Sequence, residues 1–197
     1  MRNALASTAT LLLAAPLLFA HSGDHESGLA SGMAHPFLGF DHLLAMVAVG
    51  LLAVRCTANG ERHALWQIPA SFLGAMAIGA GIALSGLQLP VVEWGIAISV
   101  LVFGVLVALS RTARTWIAAT VVAGFAVLHG HAHAAEQVGS NFAVYLGGFL
   151  LSTTLLHLAG LALGIWVAKT WNQLSLRLAG GAVALCGLVL TGTLIPA

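Results

Sequence analysis

Six apolar stretches of about 20 residues, parted by short polar or Pro- and Gly-containing breaks, dominate this 197-residue chain. A stretch of that length covers ~30 Å of hydrocarbon as a helix. Inside lipid a spanning chain must satisfy every backbone N–H and C=O internally, which leaves helices or a closed barrel. The stretches lie near 34–54, 65–86, 91–110, 116–135, 142–168 and 176–195. They predict an all-α fold, a polytopic membrane bundle of six transmembrane helices. Charge is correspondingly scarce, at 7% of residues against about 25% in soluble domains. That excludes a soluble globular enzyme and a disordered chain. A net charge of +1 with neutral His provides no basic patch for phosphates and excludes a nucleic-acid binder. No nucleotide-binding motif is present either.

Residues 1–20 read as a secretory signal peptide. Arg2 is the positive n-region, Leu11 to Ala20 is an apolar run broken by Pro16, and Ala20 precedes the expected cut. The run is too short to span a membrane; an uncleaved anchor is the alternative. Cleavage would leave 21–33 as a short periplasmic segment and 34–197 as the transmembrane domain. Cys56 and Cys186 make no disulfide framework and read as small buried hydrophobes.

The basic residues after the signal are paired. Arg55 and Arg62 follow span 1, Arg111 and Arg114 follow span 3, and Lys169 and Arg177 follow span 5. Basic residues mark cytoplasmic loops. Both mature termini are therefore expected in the periplasm, with the chain threaded through a bacterial inner membrane. The signal peptide demands the same N-terminus independently.

His, at 9 residues, outnumbers both the acids and the bases. Ionisable groups within spans are costly and mark functional sites by default. Span 1 carries His35, Asp41 and His42; span 4 ends in His129, His131, His133 and Glu136; span 5 holds His157; Glu93 opens span 3. On a continuous helix at about 100° per residue, His35 and His42 differ in direction by about 20°, with Asp41 on their flank. His129, His133 and Glu136 share an arc of about 60°, while His131 points the other way, as a packing or surface residue would. Pro36 suits a first helical turn. The two stripes fall at the same depth in the outer half of the bilayer and are expected to face each other. Imidazole with carboxylate and no thiolate suits Ni²⁺, Co²⁺, Zn²⁺ or Fe²⁺, not Mg²⁺ or Ca²⁺. His157 reads equally as a helix–helix hydrogen-bonding group, and Glu93 as an interfacial helix-start acid.

His35-x5-Asp41-His42 in the first mature span, and Leu128-His129-Gly130-x-Ala132-His133-x-x-Glu136 in span 4, resemble the motifs of the HupE/UreJ family of nickel/cobalt permeases. The resemblance extends over the whole mature chain in span count and order. It implies a secondary permease, not an enzyme, that imports Ni²⁺ or Co²⁺ for metalloenzymes such as hydrogenase or urease. It places metal-handling roles on His35, Asp41, His42, His129, His133 and Glu136, with no permanently bound cofactor and the ion and the bilayer as partners. The residues alone leave other readings open. One is a membrane cytochrome with His129 and His157 as haem ligands. Another is a membrane-embedded metal-dependent hydrolase, which would retain its metal. A third is an accessory subunit of a larger complex.

Overall fold

The computed structural model describes residues 28–109, 114–136 and 141–195. The signal peptide, the cleavage point and most of the segment 21–33 lie outside them. The described residues form seven helices and no strand: α1 (Leu29–Leu38), α2 (Phe40–Thr57), α3 (Ala64–Leu84), α4 (Val92–Leu109), α5 (Thr115–Glu136), α6 (Phe142–Thr170) and α7 (Gln173–Thr193). α2 to α7 are the six helices long and apolar enough to cross a membrane.

Span 1 departs from the expected single helix. Its apolar run is divided at Gly39, whose backbone is extended (φ −95°, ψ 116°), and α2 restarts at Phe40. Pro36 is not in a first turn but well inside α1. There it removes one helical hydrogen bond, which weakens the helix just before the break. His35 thus stands on a different helix from Asp41 and His42. The angular comparison along one continuous helix does not apply to them.

Arg55 is a second departure. It belongs not to a loop but to the last turn of α2, where it is buried and donates to Oε1 of Gln173 at 2.8 Å. This ties the end of α2 to the start of α7. Arg62, Arg114, Lys169 and Arg177 lie at the same end of the bundle, among exposed Trp66, Trp116, Trp166 and Trp171. Trp beside basic residues is the usual composition of a membrane interface. In the α2–α3 loop at this end, Glu61 accepts the Thr115 amide at 2.6 Å and so caps α5 from outside. Hydrogen bonding from Thr115 holds the Glu61 carboxyl below its usual range.

The helices pack chiefly as pairs: α3 with α5, α4 with α7, and α1 and α2 with α6. Small residues set the closest approaches. A Cβ on Gly79 would strike the backbone of Val127, and one on Gly130 the backbone of Met76. Between α2 and α6, Gly50 meets the backbone of His157, and Gly160 that of Val47. Such contacts replace the hydrophobic drive that helices lack in lipid. Counting spans, the pairs are 2·4, 1·5 and 3·6, a pattern preserved when the first three spans exchange with the last three. α2, which carries Asp41 and His42, and α5, which carries His129 and His133, are equivalent under that exchange.

Candidate metal centre

His42, in the first turn of α2, meets His129 and His133 of α5. Each offers one ring nitrogen, and the three nitrogens lie within 4.8 Å of one another. The ring centroids are 5.1 Å apart for His42 and His129, and 4.4 Å for His42 and His133. His129 and His133 are fully buried and His42 partly so. Two nitrogens bound at ~2.1 Å to one ion can be no more than ~4.2 Å apart. An ion held by all three rings would fix their nitrogens within that limit.

The direction of each lone pair is set from behind. Asp41 Oδ1 accepts the His42 amide at 2.8 Å and lies 2.7 Å from His42 Nδ1. With Nδ1–H held by the carboxylate, His42 presents its lone pair on Nε2, which is buried and has no protein partner. A side chain on Gly39 would spoil this, since its Cβ would fall 2.7 Å from His42 Nδ1 and 2.9 Å from Asp41 Oδ1. The break in span 1 thus makes room for the Asp41–His42 pair.

Ser99 of α4 does the same for His129. Its hydroxyl donates to the Ile96 carbonyl at 2.6 Å, and its oxygen is 3.0 Å from His129 Nε2. The one hydroxyl proton is already committed, so Nε2–H must be the donor. That leaves the Nδ1 lone pair of His129 as the ligating one, and this atom has no protein partner. His133 has neither nitrogen engaged; its ring lies 4.0 Å from that of Phe149. Ser99 and Phe149 escape sequence reading, because one Ser or Phe in an apolar span looks like packing.

The remaining candidates are distributed as follows. His35, at the end of α1, places its ring 4.6 Å from His133 and 6.5 Å from His42, partly exposed beside the cluster. Glu136 is the last residue of α5, and its side chain lies outside what is described. Glu93 is exposed in the first turn of α4 and is not among the clustered donors. His131 does face away from the cluster, yet it is buried rather than on the surface. Its Nε2 is 2.9 Å from the Leu87 carbonyl and 3.2 Å from the Leu89 amide, which pins the α3–α4 loop. His157 is buried on α6 outside the cluster. The ring of Phe72 lies 5.4 Å from His129 and 5.0 Å from His157.

Fold and site together define a polytopic helical membrane protein with a histidine cluster buried near one end of its bundle. The family model described as "HupE / UreJ protein" matches residues 9–190. The chain is also 41% identical, over 192 residues, to the "Protein HupE" of Rhizobium leguminosarum bv. viciae, covering 96% of this chain and 98% of that one. The chain belongs to the HupE/UreJ family. No solved structure matches it.

Proposed function

We propose that this protein is a secondary permease importing a divalent transition-metal ion, Ni²⁺ or Co²⁺ ahead of Fe²⁺ or Zn²⁺, for metalloenzyme maturation. The observation that carries the reading is the convergence of His42, partly buried, with His129 and His133, both buried, each with a ring nitrogen unpartnered by protein. Three imidazoles with a carboxylate behind one of them is a borderline donor set, matched to that group of ions. Unpaired imidazoles inside a membrane protein are costly unless they serve an ion or proton path.

In this reading the cluster end faces the periplasm and the Arg- and Trp-rich end faces the cytoplasm. The aqua ion arrives past His35 and loses water as the rings close on it. Asp41 and Ser99 fix the tautomers of His42 and His129, with the remaining lone pairs forward. Asp41 also offsets part of the ion's charge where water is scarce. The ion is cargo, not a resident cofactor. An inward potential of about 100 mV favours a divalent cation by roughly 2 × 2.3 kcal/mol, enough to drive downhill uptake without nucleotide. Residues 1–20 act as the signal peptide, and both mature termini are periplasmic. A haem cytochrome is disfavoured because the Phe72 ring packs against both His129 and His157, at 5.4 and 5.0 Å between centroids.

The test is uptake into proteoliposomes with Ni²⁺, Co²⁺, Zn²⁺ and Fe²⁺ in competition, comparing wild type with Asp41→Ala. Saturable uptake that prefers Ni²⁺ or Co²⁺ and collapses in the variant supports the reading. Wild-type vesicles no faster than empty ones overturn it, as does a variant equal to wild type.

A further inference from the structure

Among the described residues, His157 is, beside His133, a buried imidazole whose two ring nitrogens both lack a protein partner. It lies on α6, eight residues beyond Phe149, hence about 12 Å further along that helix than the residue packed on His133. One turn before it, the Thr153 hydroxyl is also fully buried and unpartnered. Its neighbours behave differently. Ser152 donates to carbonyls of its own helix at 3.1–3.2 Å, and Thr154 to the Leu150 carbonyl at 2.7 Å. Thr153 and His157, four residues apart, share one helix face. Phe149, Thr153 and His157 thus form a stripe leading from the cluster toward the middle of α6. The Phe72 ring is in contact range of both His129 and His157, at 5.4 and 5.0 Å between centroids.

We propose that His157 and Thr153 form a second, deeper station for the same divalent ion, separated from the three-histidine cluster by the ring of Phe72. The proposal rests on the permease reading and adds to it the route beyond the cluster. A buried imidazole with no partner is a standing cost for a helix interface. An apolar side chain of similar volume would pack there at no such cost, so a merely structural role does not account for it. A second site also eases release of a tightly held ion. A single tight cluster would capture an ion without releasing it, whereas a second weaker site lets an arriving ion displace the one ahead. One imidazole and one hydroxyl, with water completing the shell, give that weaker site. Phe72 swings or stays to decide whether the two stations communicate.

Two measurements on the full-length protein test this: Co²⁺ binding followed by the visible spectrum, and Ni²⁺ flux into proteoliposomes. In His157→Leu, which removes a buried polar ring and keeps an apolar volume, the Co²⁺ spectrum of the cluster should persist. Flux should fall by about tenfold or more, as expected when a metal-handling imidazole is lost. His157→Gln, which restores a polar donor and acceptor, should recover part of the flux. Flux in His157→Leu within about twofold of wild type overturns the deeper station, the expected loss being at least tenfold. So does loss of the Co²⁺ spectrum in that variant, because His157 would then act on the cluster itself. Either result leaves the permease reading standing if His42→Ala still abolishes binding and uptake. Unchanged uptake in His42→Ala overturns the permease reading whatever His157 does.

Discussion

Asp41 engages both the amide and Nδ1 of the next residue, His42, at 2.8 and 2.7 Å, and so fixes which nitrogen of that imidazole faces the cluster. A carboxylate behind an imidazole raises its basicity and locks its tautomer. Asp41→Ala should weaken ion binding by about 10–100-fold. A Co²⁺ titration in detergent measures it, and unchanged affinity would show that Asp41 is not the orienting group.

Ser99 provides the corresponding hold on His129, from a different helix. Ser99→Ala leaves His129 free to swap tautomers, and affinity should drop by about tenfold. Thermal stability in detergent should change little, since only one hydroxyl is lost. A large fall in the unfolding temperature with normal affinity would assign Ser99 a purely structural part.

Gly39→Ala is expected to separate site from fold. The new Cβ would press on His42 Nδ1 and Asp41 Oδ1, while the φ of −95° is open to alanine. Ion affinity should fall while the unfolding temperature stays near wild type. By contrast, Gly130→Ala drives a methyl into the backbone of Met76 and should destabilise the α3–α5 pair by about 1–3 kcal/mol. Comparing melting curves of the two variants checks both statements.

Glu61 gives a pH-dependent contribution outside the membrane. Because Thr115 depresses its carboxyl, the fold favours the ionised form. Its stabilising effect is full above the ordinary carboxylate range and is lost as pH falls through the lower folded value. The difference in melting temperature between wild type and Glu61→Gln should therefore be larger near about pH 7 than near about pH 3. A difference independent of pH would contradict it.

The span count was legible because a 20-residue apolar run has few alternatives in lipid. The meeting of His42 with His129 and His133 was legible because the matched depths of two polar stripes follow from topology. The break at Gly39 was not. Gly39 lies inside the short apolar run 37–40, and the cause is local, a proline inside α1 followed by side chains folding back over a glycine. The direction of His131 could be read from helical offsets, but not its burial, which depends on where the α3–α4 loop lies. Ser99, Phe72 and Phe149 were hidden for a common reason. Each acts by contact across helices, and no spacing within one helix reports that.

The central claim is that His42, His129 and His133 bind the ion together. X-ray absorption on the Ni²⁺-loaded protein tests it most directly, by counting imidazole scatterers around the metal. Three are expected in the wild type and two in His133→Ala, with oxygen completing the shell. A spectrum with no imidazole scattering, or an identical count in the two proteins, would contradict it.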